Sequence, residues 1–262
     1  MKQFDTVIVF KTHTYMGHPM NLKEFVLTFI LLLSSGSATT SASEVKVENL
    51  DSLKGELIVS SDFESESALN DWTVENMPAS IVAIVDGKLD IYSPRGTTVW
   101  LTKELPKNVI IEYDVKALQS NDKAERGADA NFFVAASEPK VGSVLVNKDK
   151  RGGMLRHYGS IRMYYVGLGA HKNKKTRMRR YPGDGTKPLL PEHDLTDPKF
   201  LNTPNKVMKV QIINDENGIK VWRNGQVIYD FNDKEAINGG QFGFRTWISH
   251  LIIDNFEVYK LK

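Results

Sequence analysis

The stretch VMKVQIINDENGIKVWRNGQVIYDF, residues 207–231, decides the fold class. Met208, Val210 and Ile212 alternate with Lys209 and Gln211, which places apolar side chains on one face of an extended chain and polar ones on the other. The Asn-Asp-Glu-Asn-Gly run at 214–218 turns the chain into Ile219–Arg223. Asn224-Gly225 then turns it into Gln226–Phe231, since a two-residue hairpin loop needs residues that tolerate positive φ. Two consecutive hairpins follow. Working outward, Val109, Ile111, Tyr113 and Val115 alternate with Ile110, Glu112, Asp114 and Lys116. Further strands are expected at IVAIV (81–85), KLDIYS (88–93), TVWLTKEL (98–105), NFFVAA (131–136), IRMYYVGL (161–168), TRMRRY (176–181), QFGFRTW (241–247) and LIIDNFEVYK (251–260). No helical periodicity persists beyond a few turns, so the expected fold is all-β: two packed antiparallel sheets in a single domain over 57–262. The loop from Pro182 to Pro204 is too long for a mere connector and is a candidate wall of a binding site.

Ahead of the domain, FVLTFILLL (25–33) follows Lys23 and precedes the small-residue stretch 34–43, the order of a signal peptide. Residues 1–42 are read as that segment, with Met20 the expected true start, cleavage after Ala38 or Ala42, and 43–56 as linker. The apolar run is too short for a stable membrane span, so a periplasmic or secreted protein is expected. Hydrophobic residues at 41% and charged residues at 25% fit a globular chain. The absence of cysteine excludes disulfides, thiolate chemistry and a lipidated cysteine. A net charge of +2 does not nominate nucleic acid as a partner, and a monomer is expected.

Chemistry concentrates in HKNKKTRMRRY, residues 171–181, which holds six Lys and Arg and no acid; without those six cations the net charge falls from +2 to −4. In an extended strand Arg177, Arg179 and Tyr181 share one face, while Thr176, Met178 and Arg180 share the other. Guanidinium forks on one face suit carboxylate or sulfate. Tyr164 and Tyr165 lie just upstream, and alternation sends them to opposite faces; Tyr164 is favoured for the groove because it shares a face with Arg162, whereas Tyr165 follows the apolar Ile161 and Met163. In QFGFRTW, Phe242 and Phe244 take the core face and leave Arg245 and Trp247 outward. No histidine shows metal-ligand spacing. His157 is the expected general base, because a neutral imidazole near the tyrosines titrates near neutrality. Glu112 and Asp114 share a strand face but read as a solvated pair, with no third acid at glucanase spacing, which weakens a glycoside hydrolase. No GxSxG elbow supports a serine hydrolase.

Taken in order, ADANFFVAAS, RMYYVGLGAHKNKKTRMRRY and GFRTWISHLIIDNFEVYKL resemble a bacterial family of unknown function in the concanavalin A-like lectin/glucanase superfamily, related to the YesU-like proteins of rhamnogalacturonan-utilisation loci. The resemblance covers 57–262 and implies a jelly-roll sandwich in a polysaccharide-degrading setting. An acidic polysaccharide containing uronate and rhamnose, with or without sulfate, is therefore the expected partner. The expected activity is a polysaccharide lyase working by β-elimination; the alternative is a non-catalytic carbohydrate-binding protein of the same system. For the lyase, His157, Tyr164 and Arg177 are the expected catalytic residues. Asn131, Arg162, Tyr165, His171, Asn173, Arg179, Arg245 and Trp247 are the expected substrate contacts. No cofactor is expected; Asp254, near the last strand, is the candidate ligand for a structural calcium of the kind similar sandwiches hold.

Overall fold

The alternation in 109–116 and 208–212 is realised as two adjacent strands with matched apolar faces: Val210 lies opposite Tyr113 and Ile212 opposite Ile111. The computed structural model describes residues 50–262. In chain order its strands are β1 (Lys54–Ser61), β2 (Trp72–Asn76), β3 (Ile81–Val85), β4 (Lys88–Ser93), β5 (Thr97–Leu101), β6 (Val109–Ala117), β7 (Asn131–Ser137), β8 (Arg162–Gly169), β9 (Lys175–Pro182), β10 (Asp194–Leu195), β11 (Val207–Asp215), β12 (Gly218–Arg223), β13 (Gln226–Asn232), β14 (Gln241–Thr246) and β15 (Ser249–Leu261). One sheet has the order β13-β12-β11-β6-β15-β4-β3, with β1 added along β15; the other has the order β10-β9-β8-β7-β14-β5-β2. The chain changes sheet at β1/β2, β2/β3, β4/β5, β5/β6, β6/β7, β10/β11, β13/β14 and β14/β15. This is the expected two-sheet antiparallel jelly-roll sandwich.

Between the sheets, Tyr113 from β6 meets Phe132, Phe242 and Phe244 edge-on, with ring centroids 5.0–6.3 Å apart. Trp72 stacks on Phe244 at 5.2 Å and takes Phe256 edge-on at 5.0 Å. Such aromatic pairs add about 0.5–1.5 kcal/mol each beyond the area they bury. The β3/β4 hairpin turns on Asp86-Gly87 (φ 51° and 67°) and β12/β13 on Asn224-Gly225 (φ 50° and 76°), as the turn chemistry requires.

Three departures matter. β1 begins at Lys54, three residues before the expected domain start, after a turn whose Leu50 is buried. β2 is a strand outside the expected set, with Trp72 and Val74 packed into the inter-sheet core and Glu75 turned to the outer face. The segment 138–161 forms a third layer on the outer face of the β10-to-β2 sheet, building a second apolar cluster with Trp100, Phe133, Tyr158, Met163, Tyr165 and Tyr181. A buried Glu75 anchors it: Trp100 Nε1 donates to Glu75 at 2.9 Å, the Tyr158 hydroxyl donates at 2.5 Å, and the Arg151 guanidinium pairs with it while also reaching Glu138 at 3.1 Å. The crossing works only because Gly153 lacks a side chain. Its φ is +73°, and a Cβ there would lie 2.7 Å from the Gly96 carbonyl and 2.9 Å from that of Glu75.

The expected signal peptide lies outside the described residues, as does the linker as far as residue 49. Among the described residues no helix is long and apolar enough to cross a membrane.

Candidate functional site

Where segment 138–161 stops, the outer face of the β10-to-β2 sheet holds a cavity of about 550 Å³. Its floor comes from adjacent strands. Arg245 of β14 is opposite Asn131 of β7, and Gly167 of β8 is opposite Arg177 of β9. Tyr165, opposite Arg179, and Tyr181 extend the floor along the strands. Leu155, Arg156 and Lys187 wall one side, and Ala170, His171 and Trp247 stand at the strand ends.

Arg245 is only 2% exposed and has no carboxylate within ion-pair distance among the described residues. Its Nη1 donates to the Gly153 carbonyl at 2.6 Å and to Thr98 Oγ1 at 3.3 Å, and its guanidinium lies 5.7 Å from the Tyr158 ring centroid. Its bonded acceptors are neutral, and the carboxylate that feels its charge is Asp129, whose pKa it helps to lower without an ion pair. Arg177 differs: Nε and Nη2 donate to Asp194 Oδ1 at 3.1 and 2.7 Å, and Nη1 donates to His171 Nε2 at 2.8 Å. That last bond needs a lone pair on Nε2, so His171 is neutral; burial, then Arg177 and Lys175, hold its pKa below the ordinary value. Arg179 donates to the Lys187 carbonyl, and the Lys187 ammonium lies 5.5 Å over the Tyr181 ring. Burial, then Arg179, lowers the Lys187 pKa.

Asp129 is the residue that sequence reasoning missed. It sits at φ +55°, is 5% exposed, and lines the cavity beside Asn131, whose Nδ2 donates to Asp129 Oδ1 at 3.2 Å. Burial pushes its pKa up to about 6 against the lowering effects of Asn131, Arg126 and Arg245. Asn131 Oδ1 is buried with no hydrogen-bond partner. The Tyr165 phenol has its pKa pushed well up by burial, then Asp129 and Tyr181; burial likewise pushes Tyr181 up to about 12. At the rim Trp247 is 49% exposed, and Arg126 fixes its turn by donating to the Trp247 and Ile248 carbonyls at 2.7 and 2.6 Å. The Arg126 guanidinium also stacks 5.2 Å from the Trp247 ring and pairs with Asp129 at 3.2 Å. The signal for Asp129 was its place in ADANFF, two residues before Asn131.

Asn131, Tyr165, His171, Arg177, Arg179, Arg245 and Trp247 all line this one cavity. Four expected residues do not. Tyr164 faces the inter-sheet core, where its hydroxyl donates to Asp233 Oδ2 at 2.6 Å and accepts from the Ile237 N–H at 3.1 Å. Alternation was right, but the polarity cue chose the wrong tyrosine: Met163 and Tyr165 are outward, and Met163 looks core-like because segment 138–161 covers it. Arg162 lines a separate depression with Lys107 and Glu216, across a register shift in the β7/β8 ladder. His157 is exposed beside Arg156 and is not a cavity residue, so it is no base for chemistry there. Asn173 closes the β8/β9 turn, exchanging hydrogen bonds of 2.9 Å with the Asn202 backbone.

Glu112, expected to be solvated, is buried on the outer face of the other sheet and takes Lys54 at 2.7 Å. Asp254, the candidate calcium ligand, has its carboxylate paired with Lys88. Among the described residues no three His, Asp or Glu side chains gather to hold a metal.

Residues 91–256 match the family model described as a domain of unknown function, DUF6250. The chain belongs to the DUF6250 family. Every cavity residue lies inside the matched span. No curated protein matches this DUF6250 chain. Among solved structures it is similar to a Bacillus subtilis protein of unknown function with a galectin-like fold, with TM-score 0.64 and 17% identity over 79% of this chain and 97% of that one. It is also similar to the carbohydrate binding module CBM66 from Bacillus subtilis, with TM-score 0.51 and 13% identity over 72% and 96% of the two chains. The Emp47p carbohydrate recognition domain matches with TM-score 0.51 and 11% identity over 79% and 98%. At these identities the likeness establishes the fold alone, a two-sheet sandwich of galectin-like type.

Proposed function

We propose that this protein is an exported carbohydrate-active protein that binds an acidic, uronate-containing saccharide in the cavity, with a sugar carboxylate on Arg245. The observation that carries this is Arg245 itself: a buried guanidinium at a cavity floor, unpaired with any carboxylate among the described residues. A planar carboxylate complements its free donors and neutralises its charge. Asn131 Oδ1 is an acceptor for a sugar hydroxyl, and Trp247 offers a ring against which a sugar face can pack. The carbohydrate recognition named for two of the similar structures is consistent with this reading. Affinity electrophoresis in polygalacturonate, alginate and neutral glucan gels tests it. Retardation is expected only in the uronate gels, weakening with salt and lost in Arg245→Met; equal retardation in all three, or unchanged retardation of Arg245→Met, would refute it.

A second reading, cleavage by β-elimination, is favoured by Asp129 and Tyr165 in the same cavity. Asp129 would take the proton from the carbon next to the uronate carboxylate, Arg245 would stabilise the resulting anion, and the carbon–oxygen bond to the leaving sugar would break as the double bond forms. The Tyr165 phenol would give its proton to the leaving oxygen, and proton exchange with solvent would restore both groups. Ultraviolet absorbance of unsaturated products tests this in wild type, Asp129→Asn and Tyr165→Phe. Activity abolished by both changes with binding kept supports cleavage, while binding without product assigns the protein to the binding class.

A further inference from the structure

A groove on the outer face of a jelly-roll sheet can run across every strand and hold an internal stretch of polymer; here two of its sides are closed. Beyond Arg245 the face is closed by the crossing at Gly153, whose carbonyl accepts from Arg245 and whose Cα packs against the backbone of Gly96 and Glu75. The Glu75–Arg151 pair pins that crossing from below. Along the strands the Lys187 ammonium donates to the Leu155 carbonyl at 3.1 Å, tying the 182–206 loop to segment 138–161 and closing a second side. At the far strands Arg177 is held by Asp194 of β10. What remains is a pocket with a buried floor and an exposed rim at Trp247, His171 and Arg156.

We propose, resting on the anionic-saccharide reading above, that the cavity receives one terminal uronate unit of a glycan, carboxylate down on Arg245, and excludes internal stretches of chain. Two features support an end over a middle. The carboxylate receptor lies at the closed end, so a chain continuing past that unit in both directions would have to cross Gly153 or the Lys187–Leu155 tie. The stacking ring lies at the open rim, where the next sugar would leave.

The test counts binding sites on the wild-type protein with one polymer at several lengths. Polygalacturonate and alginate are each cut by mild acid into fractions of decreasing mean length, and each is titrated calorimetrically at equal mass. End recognition predicts that sites per unit mass rise in proportion to the number of ends, about tenfold for a tenfold shortening, with affinity per site unchanged. A capacity that is flat with length, or several proteins seated along one long chain, would overturn end recognition while leaving anionic-sugar binding intact. No heat from any uronate fraction would instead overturn the underlying reading. As a second measurement, Lys187→Ala should let longer chains compete, raising the number of sites per long chain; the same length profile as wild type counts against the tie as the barrier.

Discussion

Arg245 carries a folding cost that the proposed uronate carboxylate would offset. A guanidinium buried on carbonyl, hydroxyl and ring acceptors loses hydration and gains no ion pair in return, only a longer-range attraction to Asp129. Arg245→Met, close in length and apolar, is therefore expected to melt at the same temperature as wild type or higher, while losing at least tenfold in uronate affinity. A melting scan with and without oligogalacturonate checks both halves: ligand should raise the wild-type transition and leave the variant's unmoved. Asp129 gives a pH prediction for the cleavage reading. Its carboxyl is held up to about 6 by burial, and a base must be ionised, so the acid limb of the elimination rate should rise with pH through about 6 and level off above. The limb should vanish with the activity in Asp129→Asn. The tyrosine pair shows what residue identity conveys: alternation separated Tyr164 from Tyr165, but which side was solvent depended on a layer far away in sequence.

At the scale of elements, segment 138–161 makes a site out of a sheet face. Its hold on the sheet is the Glu75–Arg151–Tyr158 network, and breaking a buried pair from one side leaves an uncompensated charge. Arg151→Ala should cost about 3–5 kcal/mol in urea unfolding, and Arg151→Ala with Glu75→Gln should recover part of it. Gly153→Ala should cost about 1–3 kcal/mol through positive φ alone, and more if the Gly96 backbone cannot retreat. The rim has its own clamp. His250 on β15 sits between Asp90 at 2.9 Å and Glu125 at 2.8 Å, one residue before the Arg126 that holds the Trp247 turn. The Asp90 hydrogen bond, opposed by burial and helped by Glu125, raises its pKa. A raised histidine stabilises the fold fully below its unfolded value, near 6.5, and that contribution is lost as pH rises through the higher folded value. Wild type should thus lose melting temperature between mildly acid and alkaline pH more steeply than His250→Gln, and amide exchange around 120–130 should quicken over the same range.

For the molecule as a whole, the prediction outside the described residues is export: N-terminal sequencing of material from a bacterial host should begin after Ala38 or Ala42. An intact Met1 or Met20 on cytoplasmic protein would contradict it. The sequence by itself determined the local events. Alternation in 109–116 and 207–231 set which residues face the core, Asn224-Gly225 and Asp86-Gly87 set two turns, and Arg177, Arg179, Tyr181, Arg245 and Trp247 were assigned to faces correctly, because side-chain direction in a strand follows from a two-residue repeat alone. The tertiary structure alone decided what each face meets. Only packing shows that segment 138–161 roofs the outer sheet, so that Met163 is buried outward, Tyr165 reaches the cavity and His157 does not. Only the contact between β9 and β10 neutralises Arg177 with Asp194, and only burial makes Asp129 a group that titrates near 6. Desolvation and charge pairing are properties of neighbours brought together in space, and the residues at 75, 129, 151, 165 and 245 are brought together by no local rule of sequence.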